Sequence, residues 1–227
     1  GGNMRLAAYP PGKGDITNMI RSYIHRCQKD GVKIVMNCEV TPEIIKEEKP
    51  DSVIIATGSK TLILPIEGID NPAIIHGSDL LDGKRAAGKK VLVVGGGMVG
   101  CETAAFLGEQ EHDVTVIEFR DTVGADVIHE HRVYLMKDFE DYGIKEITGA
   151  KVCKFYEDGV EYETADGVRH ESRGYDSVIL SMGFRNYNPL EEKIKDLVPE
   201  THVIGDAIRA RRALDATKEA YEVASRI

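Results

Sequence analysis

The sequence has no excess of basic charge, no long apolar run and no closely spaced cysteine pair. Each absence removes a class of function. Its 29 Lys and Arg stand against 38 Asp and Glu, a formal net charge of −9. No basic field is present to attract a phosphate backbone, so a nucleic-acid partner is not expected. No apolar run approaches the roughly 20 residues needed to span a bilayer, so no membrane partner is expected either. No signal peptide is visible, which makes a cytoplasmic location the default expectation. The four cysteines, Cys27, Cys38, Cys101 and Cys153, form no C-x-x-C or C-x-x-x-x-C pattern. A redox-active disulfide, an iron–sulfur site and a zinc site are therefore not expected, and no metal ligands are assigned. The histidines show no ligand or triad spacing. His129 and His131 are two apart on an expected helix, do not share a face, and read as surface residues. The chain opens Gly1-Gly2-Asn3 rather than with Met, which reads as a fragment or a processed chain.

What is there is an ordinary globular composition, 42% hydrophobic and 30% charged over 227 residues, enough for one large domain or two small ones. The stretch that organises it is VLVVGGGMVGCETAAFLGEQEHDVTVIE, Val91 to Glu118. Val91 to Val94 is a continuous apolar run, as expected of a strand buried on both faces. Gly95, Gly97 and Gly100 follow in G-x-G-x-x-G spacing. Gly95 permits a tight turn, Gly97 leaves room for a pyrophosphate at the backbone, and Gly100 allows close helix–strand packing. The helix amides at Met98 and Val99 point toward that phosphate, and the helix dipole favours its charge. Val114 to Ile117 is the next strand, and Glu118 at its end is placed to grip a ribose hydroxyl. A tight turn without a ligand is the competing reading. Glu118 would repel a 2′-phosphate, which favours NAD(H) over NADP(H). Arg120, two residues on, offers a guanidinium that would partly offset this. Cys101 reads as a packing residue rather than a nucleophile.

In chain order, the spacing predicts a helix from Asp15 or Thr17 to about Asp30, with Ile16, Met19, Ile20, Tyr23, Ile24 and Cys27 on one face. It predicts strands at Val32–Met36 and Ser52–Ala56, then an irregular crossover over 60–78 and a short helix at 79–82. After Glu118 come a loop over 120–128, a helix at His129–Tyr142 and a strand at Ile144–Thr148. From Ala150 the period changes to two, and Asp158-Gly159 and Asp166-Gly167 mark hairpin turns, so a three-stranded antiparallel meander is expected. A buried strand at Asp176–Ser181, an irregular polar stretch over 184–200, a short strand at His202–Asp206 and a closing helix over 211–226 complete the chain. Leu214, Ala216, Ala220, Val223 and Ala224 are expected on the inner side of that last helix. The predicted fold class is α/β. It consists of a Rossmann-like three-layer nucleotide domain with an antiparallel meander, inserted in a partial domain of the same type.

Three strand ends share one punctuation: Ala56-Thr57-Gly58, Ser181-Met182-Gly183 and Gly205-Asp206. Sheet C-termini of this kind are where α/β folds place ligands. Taken in order, strand-ATG, G-x-G-x-x-G with a terminal Glu, meander, strand-SMG and VIGDA resemble the flavoproteins in which an NAD(P)H domain interrupts an FAD domain. GGNMRLAAYPPGK, VIIATGS, VLVVGGGMVGCETAAFLGEQEHDVTVIE and HVIGDA are similar to the C-terminal part of NADH:flavin oxidoreductases of the 2,4-dienoyl-CoA reductase type, enoate reductases and bile-acid reductases among them. The resemblance covers essentially the whole chain.

The resemblance implies a partial FAD domain over 1–60 and 200–227 and an NAD(H) domain over 75–190, with crossover linkers at 61–74 and 191–199. It implies FAD contacts from Asn3, Lys13, the backbone at Val40, Thr57, Gly58, Gly205 and Asp206. It also implies an N-terminal barrel that holds FMN, an iron–sulfur cluster and an enoyl-type substrate, and that this chain does not contain. The FAD domain's own glycine fingerprint is likewise absent, which removes much of the free energy of FAD binding. On this reading hydride passes from NADH to FAD and the electrons go on to FMN, and the chain needs no catalytic acid or nucleophile of its own. An inert nucleotide-binding module and an electron-transfer subunit completed by a partner are the alternatives. A homodimer through exposed sheet edges is also expected.

Overall fold

The computed structural model describes all 227 residues. In order the elements are α1 (Asn3–Leu6), α2 (Asp15–Lys29), α3 (Pro42–Glu48), β1 (Ser52–Ile55), β2 (Ser59–Thr61), β3 (Ile74–His76), α4 (Gly77–Leu81), β4 (Lys90–Val94), α5 (Met98–Glu109) and β5 (Asp113–Ile117). They continue with α6 (His129–Asp141), β6 (Lys145–Ile147), β7 (Lys151–Tyr156), β8 (Gly159–Glu163), β9 (Arg169–Ser172), β10 (Ser177–Leu180), β11 (Phe184–Asn186), α7 (Glu191–Ile194), β12 (Glu200–Val203) and α8 (Ala213–Ala224). The chain divides into two compact units. The first holds residues 1–3, 19–60 and 184–227, and the second holds 4–18 and 61–183.

The larger unit is built on a five-stranded sheet in the order β3-β10-β4-β5-β6, and every pairing in it is parallel. Such a sheet must be covered on both faces, and the alternation of side chains along each strand shows how. Val91, Val93, Val114, Val116, Ile75 and Ile179 point to one side. There they pack against Cys101, Ala104, Ala105 and Leu107 of α5 and Leu135 and Phe139 of α6. Leu92, Val94, Ile117, Ile74, Val178 and Leu180 point to the other side, onto Phe155 and Val160 of the antiparallel meander β7-β8-β9. The result is three layers, helices, sheet and meander. The strand residues Val91, Leu92 and Val93 lose all solvent contact, which stabilises the unit by about 1.5–3 kcal/mol for each large side chain.

In the smaller unit β1 and β12 pair in parallel, Ser52 with Glu200 through Ile55 with Val203, and β2 pairs with β11. Its core is small: Ile45 of α3, Ile55 of β1, Leu190, Ile194 and Val198 around α7, and Ala207.

Several expectations are corrected here. Residues 191–199 are not a linker, because they contain α7 and bury Ile194 completely in the core of the smaller unit. Residues 61–74 are not a bare crossover either, since Ile66 and Ile69 pack against the larger unit's meander-side core. The stretch 60–78 contains β3, whose Ile74 and Ile75 are buried at the sheet's edge. The strand expected at Val32–Met36 does not form. A strand exists only through a ladder partner, none lies beside this segment, and Val32, Ile34, Val35 and Met36 are exposed. Along α2 and α8 no residue is buried, and Met19, Tyr23, Ile24 and Leu214 are exposed rather than packed inward.

The turn from β4 into α5 is the tightest joint. A Cβ at Gly100 would lie 1.8 Å from the Gly95 carbonyl oxygen, and Gly95 itself has φ +106°, in the region that favours glycine. Gly100→Ala is expected to cost at least about 2 kcal/mol, because backbone rather than a flexible side chain must yield. Urea unfolding followed by circular dichroism checks this, and an unchanged midpoint would refute the packing argument.

Candidate active site

β4 is the strand at which the large sheet's connections diverge, toward β5 and β6 on one side and toward β10 and β3 on the other. Ligands of open α/β sheets bind at the carboxyl ends of the strands at such a switch point. A cleft of about 380 Å³ lies there, lined among others by Gly95, Gly97, Met98, Val99, Glu118, Arg120, Met182 and Gly183. These are eight of the nine nucleotide-site residues expected from the sequence. The ninth, Gly100, is buried behind them in the joint between α5 and β4.

The polar geometry is specific. Gly97 caps the N-terminus of α5 with extended backbone and no side-chain acceptor. The Glu118 carboxylate accepts the Gly96 N–H through Oε2 at 2.5 Å and the Arg120 N–H through Oε1 at 3.0 Å. This holds Glu118 in the cleft at the end of β5. The Met98 N–H, the first helical amide, is donated to Asp126 Oδ1 at 2.9 Å. Met98 therefore does present its amide to the cleft, and an acid of the chain accepts it. Asp126 lies in the loop after β5, where only irregular chain was expected, and no spacing rule flags it. Phe119, 68% exposed, stands at the rim beside Glu118. The arrangement offers N–H donors and a helix dipole to an anion, and a carboxylate to a hydroxyl donor.

A second group in the same unit was not expected. Glu102 on α5 is 6% exposed, and Lys13 and His131 share its carboxylate. Lys13 Nζ forms an ion pair with Oε1, and His131 Nε2 lies 3.2 Å from the same oxygen. His131 is therefore not simply a surface residue, and Lys13, assigned to FAD by resemblance, is engaged by Glu102. A buried carboxylate is retained only when it is paired, and here the partners are 89 and 29 residues away. No group of three or more His, Cys, Asp or Glu side chains is placed to hold a metal ion.

In the smaller unit, Thr57, Gly58, Gly205 and Asp206 come to the carboxyl ends of the paired strands β1 and β12. Ser59 Oγ donates to Asp206 Oδ2 at 2.8 Å, the Arg211 N–H donates to Asp206 Oδ1 at 2.9 Å, and Asn3 Nδ2 donates to the Ser59 hydroxyl at 3.1 Å. Thr57 Oγ1 donates to the Tyr187 carbonyl, and the Tyr187 N–H returns to the Gly58 carbonyl at 3.0 Å. Asn3, Thr57, Gly58, Gly205 and Asp206 are thus gathered by the fold, whereas Val40 is exposed on the segment before α3.

A sequence profile of the pyridine nucleotide-disulphide oxidoreductase family matches residues 16–204. The chain belongs to that family. It is a pyridine-nucleotide oxidoreductase domain of α/β type. Over its whole length it is similar to a cinnamate reductase of Clostridium sporogenes, 30% identical and covering 34% of that protein. An NADH oxidase of Thermoanaerobacter brockii is 31% identical over the whole chain, which covers 36% of it. Among solved structures, that of a 2-naphthoyl-CoA reductase with 2-naphthoyl-CoA superposes with a TM-score of 0.94 at 31% identity, over all of this chain and 34% of that one. The chain spans about a third of the length of the relatives it matches. These are reductases of the kind that the sequence resemblance pointed to. No helix is long and apolar enough to cross a membrane.

Cys101 is fully buried on α5 with Sγ 3.2 Å from the Gly96 carbonyl, and burial pushes its thiol up to about 12. With a thiol-reactive dye at pH 8, exposed Cys38 is expected to label within minutes and Cys101 only on unfolding. Rapid labelling of Cys101 in the folded protein, read by peptide mass, would contradict its burial. Glu102→Ala, which leaves Lys13 without its carboxylate, is expected to destabilise the larger unit by about 1–3 kcal/mol, read as a lowered urea midpoint. An unchanged midpoint would mean that the buried carboxylate contributes nothing net.

Proposed function

We propose that the larger unit binds NADH in the cleft at the end of β4 and presents it to a flavin in an oxidoreductase longer than this chain. The observation that carries this reading is the conjunction of the α5 helix start, the side-chain-free Gly97 that precedes it and the Glu118 carboxylate in one cleft. When bound, the nicotinamide supplies a hydride and the flavin accepts it. This chain's residues bind and orient. The start of α5 receives the pyrophosphate, and Gly97 leaves room for its approach. Glu118 accepts hydrogen bonds from the adenosine ribose, and Met182 and Gly183 border the route toward the nicotinamide. Thr57, Gly58, Gly205 and Asp206 of the smaller unit would line FAD, with Asp206 accepting from ribityl hydroxyls. FMN, an iron–sulfur centre and an enoyl-type substrate belong, on this reading, to the rest of the longer protein.

Similarity to a cinnamate reductase, an NADH oxidase and a 2-naphthoyl-CoA reductase supports the reading, and so does the placement of eight expected residues around one cleft. An inert nucleotide-binding module and a subunit completed by a partner are the competing readings, and flavin content separates them. The chain carries one G-x-G-x-x-G fingerprint, Gly95 to Gly100, and that lies in the larger unit.

Titration with NADH and with NADPH, scanning flavin absorbance before and after, tests the proposal. NADH is expected to bind at least about tenfold more tightly than NADPH. Glu118→Ala should lose about tenfold in NADH affinity and narrow the difference, the size expected for one charge-assisted hydrogen bond. Equal affinity for both nucleotides in the wild type would sink the Glu118 argument. Failure to bind either would sink the function.

A further inference from the structure

The amide at the start of α5 is already taken by an anion from the chain itself. Met98 N–H is the first helical donor, and Gly97 before it has no side chain to accept it. Asp126, 28 residues further on, supplies the acceptor at 2.9 Å. Its carboxylate oxygens lie 3.3 and 3.5 Å from where a Cβ at Gly97 would stand. The space that glycine leaves open at 97 therefore faces a carboxylate, and the donor beside it is engaged by that carboxylate. Open space and a free N–H at the helix start are what a phosphate oxygen requires. Two anions cannot share that amide without repulsion.

We infer that Asp126 is an internal occupant of the pyrophosphate position, a residue that sets dinucleotide affinity by having to leave before the ligand binds. The inference rests on the function proposed above and adds to it an affinity-setting residue that spacing does not reveal.

The structure also assigns what moves. On either side of Asp126 the loop is anchored: Val123 is fully buried and Val127 nearly so, both in the helix-side core. Gly124 N–H donates to the Gly96 carbonyl at 2.7 Å. The Arg132 guanidinium donates to the Thr122 hydroxyl at 2.9 Å and to the Val123 carbonyl at 3.1 Å. Asp126 is exposed between these anchors. Rotation about its own side-chain torsions carries the carboxylate into water and leaves the anchors in place.

Asp126 differs from Glu118 in what it selects. Glu118 acts on the ribose and its 2′ substituent, which distinguishes NADH from NADPH. Asp126 acts on the pyrophosphate, which both carry. Removing the Asp126 charge therefore changes both affinities by one factor and leaves their ratio alone.

The test is Asp126→Asn, which keeps an oxygen able to accept the Met98 N–H, together with Asp126→Ala, which keeps none. NADH and NADPH dissociation constants would be measured by nucleotide fluorescence, with melting curves of each free protein to show that it is folded. Both constants are expected to fall about three- to tenfold in both variants, the range set by one charge against a helix start, with their ratio unchanged. Affinity that is unchanged or weaker in Asp126→Asn would overturn the inference while leaving the proposed function standing. A change confined to NADPH would also overturn it, since that is the behaviour of a 2′-selecting residue. If neither nucleotide binds wild type or variants, the proposed function fails and this inference with it.

Discussion

The first turn of α5 lies against the strand before it, backbone on backbone, and the cleft depends on that contact. The Gly95 carbonyl occupies the space a methyl group at Gly100 would need, and a Cβ at Gly95 would in turn lie 2.4 Å from the Ser181 carbonyl. Two strand ends and one helix start therefore meet with no side chain between them. Only that closeness brings the Met98 amide and the Ser181-Met182-Gly183 end of β10 to the walls of one cleft. The hydrogen-bonded ladders of β4 with β5 and with β10 fix the register behind it, Val94 opposite Ile117 and opposite Leu180. A slip of one residue would turn every side chain of β4 to the wrong core.

The two units differ in how much they bury. In the larger unit both faces of the sheet are covered, and even the edge strand β3 is shielded by its neighbours. In the smaller unit the paired strands β1 and β12 rest on a core of a few residues around Ile45, Ile55 and Ile194. No residue of α2 or α8 is fully buried. By area alone the hydrophobic stabilisation of the smaller unit must be much the weaker.

What the sequence made legible follows the range of the interactions involved. β4, α5 and β5 were readable because strand period, glycine spacing and the terminal acid are all local. The meander was readable because Asp158-Gly159 and Asp166-Gly167 are turn chemistry in two residues. β3 was not, because Ile74–His76 is three residues long and becomes a strand only by pairing with β10, about a hundred residues later. The apolar run Val32–Met36 failed in the opposite sense, as good strand composition with no ladder partner. The Glu102, Lys13 and His131 group belongs to the same class, since each member looks like a surface charge until the fold buries the carboxylate they share. Asp126 sits in a loop whose backbone has no period to read, and its role exists only because α5 begins with an amide that Gly97 cannot cap.

On the function proposed above, an acidic chain has to bind a polyanion. The protein carries a net charge of −9, and its field at long range opposes any nucleotide. Binding must then be decided within a few ångströms, by donors whose geometry the backbone fixes. Two acids of the chain accept backbone donors in the cleft, Glu118 from Gly96 and Asp126 from Met98. Ligand entry at Met98 is thus an exchange of one anion for another on the same amide, and the free energy gained is the difference between them. An exchange of that kind keeps affinity moderate. On the function proposed above, Glu118 keeps its bonds to the Gly96 and Arg120 N–H groups while Asp126 gives way at Met98.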